Sequence, residues 1–323
     1  MPNAIRIHEA GGPEVLRWEE VAVGRPGPGE VRVRQTAVGL NFIDVYHRSG
    51  LYKLPLPAVI GSEGAGVVEE VGGDVREVKP GDRVAYAGVV GAYAQARLIA
   101  ADRLVPLPGS VDDATAAAAM LKGMTAQYLL RRTCRIERGD AVLIHAAAGG
   151  VGLIACQWAR HLGATVIGTV STDEKAALAR AHGCEHAIVT RREAFVARVK
   201  EITGGRGVRV VYDSVGKDTW DGSLDCLQPL GMMVSYGNSS GPVPPFSPLV
   251  LSAKGSLFLT RPTLMAYTAK RADLLACAAE LFDVIRSGAV GVAVSRTYAL
   301  ADAAAAHRDL EARRTTGSSV LIP

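Results

Sequence analysis

Hydrophobic and polar residues alternate in short runs over about the first 120 residues. Examples are Glu30-Val31-Arg32-Val33-Arg34 and the segment GAGVVEEVG at 64–72. Gly and Pro residues separate the runs, as turns separate the strands of an all-β domain. The pattern therefore predicts a barrel-like or sandwich domain in this part of the chain.

The pattern changes after Asp112, where an Ala-rich helix leads into Lys122-Gly123-Met124-Thr125. Strands and helices then alternate, which is typical of a parallel sheet with helices on both faces. The predicted segments are Ala141–Ile144, Val151–Leu162, Thr165–Val170, Glu174–His182, Ala187–Val189, Phe195–Thr203 and Val208–Tyr212. Two later strands, Met232–Tyr236 and Ser256–Leu259, would complete a sheet of six strands. The tail predicts helices at Arg271–Ser287 and Leu300–Arg313 and a closing strand at Ser319–Ile322.

A glycine-rich turn joins the first of these strands to the first helix. Residues 147–152, AAGGVG, match G-x-G-x-x-G with Ala147 in place of the first Gly. Gly149 allows close approach of a pyrophosphate, and Gly152 allows tight helix–sheet packing. The N–H groups at the helix start, around Gly150 and Val151, attract an anion. The turn therefore predicts a dinucleotide site.

A membrane span is the alternative for this stretch, because no charged residue occurs between Asp140 and Arg160. The three glycines, together with His145 and Gln157, argue against a spanning helix. Four glutamates interrupt the N-terminal segment, at positions 9, 14, 19 and 20, so no signal peptide is expected. We therefore expect a cytoplasmic protein with no membrane partner.

Composition and charge narrow the class of protein further. With 323 residues and 48% hydrophobic content the chain is long enough for two cores, and 21% charged residues argue against disorder. A net charge of +4, spread over scattered Lys and Arg, does not indicate nucleic-acid binding and hints only at an anionic ligand. The five cysteines are odd in number and far apart, so we interpret them as core residues of a reduced protein.

Several motifs extend this interpretation over the whole chain. They are Gly11-Gly12-Pro13-Glu14-Val15-Leu16, Asn41-Phe42-Ile43-Asp44, Arg48-Ser49-Gly50-Leu51-Tyr52, Gly81-Asp82-Arg83-Val84, the glycine turn, Asp213-Ser214-Val215-Gly216, 236–241 (YGNSSG) and Thr260-Arg261-Pro262. In this order they resemble the medium-chain dehydrogenase/reductase superfamily, and within it the zinc-free, zeta-crystallin-like quinone oxidoreductases. The resemblance implies an α/β protein: a chaperonin-10-like β-barrel substrate domain (1–123 and 266–323) and a doubly wound Rossmann domain (124–265).

The residue types argue against zinc independently of the resemblance. A catalytic zinc site needs three ligands from Cys, His, Asp or Glu, and a structural site usually has four Cys or His. Where alcohol dehydrogenases of this superfamily place a Cys and a His, the chain has Asn41 and Ser62, and no Cys precedes Cys134. Without a Lewis acid, hydride delivery to a conjugated acceptor is favoured, and both quinones and enones qualify.

The second predicted Rossmann strand indicates which nicotinamide is used. NAD sites usually carry an acid at its end, but here the strand ends at Ser171-Thr172. Ser171, Lys175, Arg191 and Arg192 could meet a 2′-phosphate, which favours NADPH; the less favoured alternative for Lys175, Arg191 and Arg192 is solvated surface. We interpret Asp173 as a helix-start residue. The resemblance implies 2′-phosphate contacts at Ser171, Lys175 and Arg313. It also places Thr190 near the adenine. The family often has a Tyr at this position, so whether a side chain stacks on the adenine here is left open.

The part of the site where hydride reaches the acceptor requires a hydrogen-bond donor, because hydride transfer creates an oxyanion on the acceptor. By resemblance, Asn41, Tyr46 and Tyr52 line a cleft between the domains near the nicotinamide. Asn41 could orient the carboxamide or the acceptor oxygen, and both tyrosines could instead be half-buried rim residues. Arg261 could stabilise an oxyanion or brace the loop, and His145 is expected to be structural. The ribose and carboxamide contacts are assigned to Thr125, Gly216, Tyr236, Gly237 and Asn238, and segment 237–248 is a candidate gate.

The sequence therefore predicts an NADPH-dependent reductase of a small quinone, without a metal. The alternative is an NADPH-dependent reductase of α,β-unsaturated carbonyls. A third possibility is a binding role, since some relatives serve as lens proteins or RNA binders, but the clustered basic face with aromatics that it needs is absent from the sequence. A homodimer is expected through 256–259, an apolar strand at the end of the sheet.

Overall fold

The structure, a computed structural model, describes residues 1–323 and divides into two compact units. The first unit comprises 1–124, 268–286 and 292–323, and the second comprises 125–267 and 287–291. Each has its own hydrophobic core. No helix is both long enough and apolar enough to cross a membrane.

The regular elements follow one another in chain order. They are β1 (Asn3–Ile7), β2 (Arg17–Glu20), β3 (Glu30–Leu40), α1 (Phe42–Arg48), β4 (Ala58–Val59), β5 (Glu63–Val71), β6 (Arg83–Ala87), β7 (Ala96–Ala100), β8 (Val105–Pro106), α2 (Asp113–Tyr128), β9 (Ala141–Ile144), α3 (Gly150–His161), β10 (Thr165–Val170), α4 (Asp173–Ala181), β11 (His186–Val189), α5 (Phe195–Ile202), β12 (Val208–Asp213), α6 (Trp220–Asp225), β13 (Leu227–Ser235), α7 (Leu249–Ala253), β14 (Phe258–Thr260), α8 (Leu264–Tyr267), α9 (Arg271–Arg286), β15 (Val294–Ala299), α10 (Ala303–Glu311) and β16 (Ser318–Ile322).

The first unit is built on a seven-stranded sheet in the order β15-β16-β3-β5-β6-β8, with β7 also pairing with β3. A smaller sheet, β2-β1-β4, completes it. The long strand β3 alternates buried and less buried positions, with Val31 and Val33 fully enclosed, because successive side chains point to opposite faces of a sheet. This confirms the predicted β architecture.

The second unit is a six-stranded parallel sheet in the order β11-β10-β9-β12-β13-β14. In chain order this is 3-2-1-4-5-6, the doubly wound arrangement that the sequence predicted. The central strand β9 carries Val142, Leu143 and Ile144, all fully buried, because helices cover such sheets and leave no polar face. The fold-class prediction is confirmed.

Several element predictions need correction. The first 120 residues are not all-β, since α1 is a helix, and β15 was not predicted. The predicted helix 300–313 is divided into a 3-10 turn at Leu300–Asp302 and a shorter α10. The predicted strand 232–236 begins earlier, at Leu227, and the last strand of the sheet is Phe258–Thr260. All five cysteines are free and buried, as the core interpretation requires.

Candidate functional site

One edge of the second unit collects most of the predicted cofactor residues. All six strands run parallel, so their carboxyl ends lie along the same edge, which is where ligands bind in open α/β sheets. The turn 149–152 follows β9, Ser171 follows β10, and Thr190 follows β11. Gly216, the segment 236–238 and Arg261 follow β12, β13 and β14. Thr125 is a buried residue of α2 in the same unit.

The turn after β9 is held by the strands and by its own backbone. The Ala147 N–H donates to the Thr169 carbonyl at 3.0 Å, and the Gly149 N–H donates to the Ala146 carbonyl at 2.8 Å. A Cβ at Gly152 would lie 2.4 Å from the Ala146 oxygen, so only glycine fits there. No side chain caps the start of α3, whose first N–H groups are therefore available to an anion. The turn fits a pyrophosphate.

A cavity of about 370 Å³ lies at the carboxyl ends of β10 and β11. It is lined by Ser171, Thr172, Asp173, Glu174, Val189, Arg191 and Arg192. Asp173 begins α4, as expected, and its carboxylate is paired with Arg192 at 2.6 Å. Ser171 is thus grouped with two arginines, whereas Lys175, one turn into α4, is half-buried and does not line the cavity. Its N–H donates to the capping Thr172 hydroxyl at 3.3 Å.

The turns after β12 and β13 are packed against each other. A Cβ at Gly216 would lie 2.6 Å from the Gly241 oxygen, and one at Gly237 would lie 2.4 Å from the Ser214 oxygen. Beneath them the fully buried Asp213 accepts the Gly216 N–H at 3.0 Å and the Val215 N–H at 2.8 Å. Its other oxygen accepts hydroxyl protons from Thr219 (2.7 Å) and Ser223 (2.8 Å). Asp213 therefore fixes the backbone of the turn.

Arg261 and Asn238 meet at the same edge. Arg261 donates from Nη1 to the Ser235 carbonyl at 2.7 Å. With its amide oriented by its neighbours, Asn238 accepts from Arg261 Nη2 at 3.0 Å and donates to the Gly237 carbonyl at 2.9 Å. These contacts brace the 236–238 turn. Burial raises the pKa of the adjacent Tyr236, whose hydroxyl is therefore neutral at ordinary pH.

His145 is structural, as the sequence analysis expected. It is fully buried, and its ring nitrogens lie 2.8 Å from the Thr169 hydroxyl and 2.9 Å from the Ser223 hydroxyl. Burial lowers its pKa, so the ring is neutral. Because both nitrogens are engaged inside the core, His145 ties β9 to β10 and α6 and has no proton to offer a substrate.

The first unit places Asn41 in a buried polar network at the start of α1. Asn41 Nδ2 donates to Glu63 Oε2 at 2.9 Å, and Lys122 Nζ donates to the same oxygen at 2.9 Å. The other oxygen of Glu63 accepts the Leu121 N–H at 2.6 Å. Glu63 is fully buried, and Gly39 allows its approach, since a Cβ there would lie 2.2 Å from Glu63 Oε2.

Asp44 lies next to this network and is also fully buried. It accepts hydrogen bonds from the Asn41 N–H (3.0 Å), the Ser62 hydroxyl (2.7 Å) and the Tyr93 hydroxyl (3.1 Å). Desolvation outweighs these hydrogen bonds and the nearby charge of Lys122, and it raises the Asp44 pKa from 3.8 to about 7.

A second chain of contacts starts from the Tyr93 hydroxyl, which lies 3.1 Å from His307 Nε2. The other His307 nitrogen lies 3.2 Å from Arg48 Nη1. Arg48 only donates, so His307 must accept at Nδ1 and carry its proton on Nε2. Arg48 in turn holds Glu311 through two hydrogen bonds of 2.8 and 2.9 Å. This series of side-chain contacts fixes α1 to α10.

Tyr46 and Tyr52 form an aromatic pair beside this network. Their ring centroids are 5.2 Å apart with an interplanar angle of 65°, and the Tyr52 N–H donates to the Tyr46 carbonyl at 3.0 Å. Tyr46 is buried and Tyr52 is half-buried. Arg313, the remaining predicted residue, is exposed just after α10 and adopts a positive φ of 58°. Like Asn41 and the two tyrosines, it belongs to the first unit.

Glu63, Lys122 and Asp213 are the residues that the sequence analysis did not select for the site. Asp213 stood in a quoted motif, but nothing marked its carboxylate as the anchor of the turn. Lys122 interrupts an apolar helical run, which is the one available signal, since a buried cation needs a partner. No three His, Cys, Asp or Glu side chains are grouped so that they could hold a metal ion.

Comparison with known proteins gives matches along the whole chain. Residues 27–109 match the family model "Alcohol dehydrogenase GroES-like domain", and residues 150–279 match "Zinc-binding dehydrogenase". A quinone oxidoreductase of Pseudomonas aeruginosa is 54% identical over 100% of both chains. A 2-haloacrylate reductase of a Burkholderia species is 51% identical over 100% of this chain and 99% of its own.

Among solved structures, an Escherichia coli quinone oxidoreductase complexed with NADPH superposes with a TM-score of 0.98. It is 51% identical, and the match covers 99% of this chain and 100% of that one. Matches of this identity over the full length establish an enzyme with the GroES-like and Rossmann domains. The chain belongs to the quinone oxidoreductase family of the medium-chain dehydrogenase/reductase superfamily.

Proposed function

We propose that the protein is an NADPH-dependent quinone reductase that passes reducing equivalents from the nicotinamide to a small quinone without a metal. The observation that carries this proposal is the full-length similarity to a quinone oxidoreductase that was solved with NADPH. The proposal is supported by the turns of the second unit, which have the form that a dinucleotide needs.

The chain's own residues fit the cofactor. The Gly149–Gly152 turn and the uncapped start of α3 would hold the pyrophosphate. Ser171, with the arginines of the cavity, would accept a 2′-phosphate, and Lys175 and Arg313 are the other proposed contacts. The tightly packed turns that contain Gly216 and 236–238 would hold the ribose and the carboxamide, with Thr125 beside them. Thr190 would lie near the adenine.

At the reacting end, the bound nicotinamide would supply the hydride. The tyrosines would supply the hydrogen bonds that the acceptor oxygen needs as its negative charge develops. Tyr46 is held by burial and by the ring of Tyr52, so its hydroxyl has little freedom. Arg261 is proposed as a brace of the 236–238 turn, because its guanidinium already holds Ser235 and Asn238.

A second candidate function is the reduction of α,β-unsaturated carbonyl compounds. It is favoured by the 2-haloacrylate reductase, whose identity to this chain is close to that of the quinone oxidoreductases. An acrylate carries a conjugated double bond, and its reduction places developing negative charge on a carboxyl oxygen, as quinone reduction does on a quinone oxygen. The same tyrosine donors would serve either acceptor.

A side-by-side assay tests the two candidates. Initial rates with NADPH are measured for 1,4-benzoquinone, an ortho-quinone and a 2-alkenal. The proposal expects kcat/KM for a quinone to exceed that for the alkenal by at least about tenfold, a difference of 1.4 kcal/mol. The Tyr46→Phe variant, which keeps the ring and removes the hydroxyl, should lower kcat. Faster turnover of the alkenal would replace the proposal with the second candidate.

Metal independence is tested by elemental analysis. Positions 41 and 62 hold Asn and Ser, neither of which is a usual zinc ligand, so we expect no stoichiometric metal. About one zinc per chain after dialysis would contradict this expectation.

We also propose a homodimer formed through β14. This strand is the last of the sheet, and the side chain of Phe258 on it is exposed. An exposed apolar edge favours pairing with another chain, and a twofold partner would cover it. Sedimentation at micromolar concentration should give twice the mass of 33.9 kDa, and a mass of one chain would refute the dimer.

A further inference from the structure

We propose that Asp173 limits how tightly the protein binds a 2′-phosphate, because it engages Arg192 and leaves Arg191 as the unpaired cation of the cavity at the ends of β10 and β11. Asp173 is then a specificity-determining residue, and two adjacent arginines have unequal roles. The proposal rests on the proposed use of NADPH. It concerns residues of the second unit alone.

The order of the strands places this cavity at the ribose of the adenosine. In a doubly wound sheet, residues at the end of the second strand meet the 2′ position of the ribose, and an arginine nearby accommodates a phosphate there. β10 is the second strand, and Ser171 follows it directly and lines the cavity. Arg191 and Arg192 line the same cavity from the end of β11. The fold therefore brings a 2′-phosphate to both arginines.

Arg192 is already engaged by the protein. Its Nη2 lies 2.6 Å from Asp173 Oδ1, and its Nη1 donates to Asp173 Oδ2 at 2.8 Å. Paired bonds of this kind are the strong geometry between an arginine and a carboxylate, and a phosphate needs the same two nitrogens. Glu193 adds a further acid, 3.9 Å from Arg192 Nε. The guanidinium fork that would bind a phosphate is thus occupied.

Arg191 differs from its neighbour, because its exposed side chain forms no ion pair and no hydrogen bond. The cavity lining also contains Glu174, so its two arginines and two acids carry no net charge together. A phosphate that enters is attracted by Arg191 and repelled by Asp173. If Arg192 turned to the phosphate instead, it would leave the Asp173 carboxylate unpaired beside a dianion. Asp173 therefore opposes the phosphate in either arrangement.

The test measures the binding of two nucleotides to the full-length protein by calorimetry at low ionic strength, where exposed charges are least screened. Adenosine 2′,5′-bisphosphate and 5′-AMP differ only in the 2′-phosphate. The ratio of their dissociation constants therefore reports on that group and on neither the nicotinamide nor the acceptor. We expect Arg191→Ala to lower the preference for the bisphosphate about tenfold, since a charge-assisted contact is lost. Arg192→Ala should lower it about threefold at most, because only a more distant attraction is removed.

Asp173→Asn tests the central claim, since Asn keeps the shape of the side chain and removes its charge. The change releases Arg192 and ends the repulsion, so the preference for the bisphosphate should rise about fivefold. Glu174→Gln is the matched control, because it removes the same charge from the same cavity and Glu174 has no arginine partner. It should raise the preference about twofold or less. In an Arg192→Ala background, Asp173→Asn should give only this smaller gain, because no guanidinium is left to release.

An unchanged preference in Asp173→Asn, or a gain no larger than that of Glu174→Gln, would overturn the proposal. Weaker binding of 5′-AMP by Asp173→Asn would also overturn it, because the acid would then be a ligand of the ribose. A wild type that binds both nucleotides equally would refute the use of NADPH and, with it, this role of Asp173. A protein that meets every expectation here but reduces no quinone would refute the proposed function alone.

Discussion

The two units build their candidate sites in different ways. In the second unit the site is made of backbone: glycine turns at the ends of parallel strands, with one buried carboxylate, Asp213, beneath them. In the first unit it is made of buried side chains that pair across long stretches of chain, as Asn41, Glu63 and Lys122 do. A site built from closely packed backbone is disrupted when a substitution adds side-chain volume. A site built from buried charges is disrupted when one charged side chain loses its partner.

The largest effect should follow from breaking the buried pair in the first unit. Lys122→Met leaves Glu63 buried without its cation, which we expect to lower the free energy of unfolding by about 3–5 kcal/mol. The matched control is Arg286→Ala, which removes an exposed ion pair with Asp283 and should cost about 0.5 kcal/mol or less. Urea denaturation measures both, and equal effects would remove the contrast between buried and exposed charges.

The pH dependence of stability sharpens the comparison, because the first unit holds a buried carboxylate, Asp44, with a pKa raised to about 7. The folded protein binds the Asp44 proton more tightly than the unfolded chain does, so this group makes stability fall as the pH rises from about 4 to about 7. The difference between wild type and Asp44→Asn should change by up to about 4 kcal/mol across that window, at 1.36 kcal/mol per pKa unit. A constant difference from pH 4 to pH 8 would contradict the raised pKa.

In the second unit the corresponding test adds volume to the backbone site. Gly152→Ala places a Cβ 2.4 Å from one backbone oxygen and 2.7 Å from another, neither of which can move away. We expect a loss of about 3 kcal/mol in the free energy of unfolding, the upper end for overpacking. Gly109→Ala, whose Cβ would enter open space, is the control. Thermal or urea denaturation that gives the same value for both would show that the turn is looser than described.

The smallest effect is expected at the edge of the cofactor site. Lys175→Ala should remove a charge-assisted contact of about 2 kcal/mol with the 2′-phosphate, which raises the KM for NADPH by one to two powers of ten. kcat should hardly change, because the contact is remote from the hydride and is made equally in ground and transition states. NADH kinetics provide the control. If the substitution weakens the binding of NADPH and NADH equally, or if the wild type uses NADH efficiently, Lys175 is a surface residue with no contact to the 2′-phosphate.

The sequence by itself determined the elements and residues that local patterns encode. Alternation and its change after Asp112 predicted a β unit followed by a doubly wound sheet, and the glycine turn predicted the start of α3, because these signals depend only on near neighbours. The short helix α1 was missed, since seven residues between strands carry too little periodicity. The split at Leu300–Asp302 was missed for the same reason.

Only the tertiary structure decided how the polar residues of the candidate site are paired. Glu63 and Lys122 are 59 residues apart, and Tyr93 and His307 are 214 apart. Nothing in the local sequence of either partner specifies the other, because each charge is tolerated in the core only once folding has brought its partner to it. The same contacts fix the direction of the Asn41 amide. The sequence thus set the chemical type of each polar residue in the candidate site, and the fold set the orientation of its side chain.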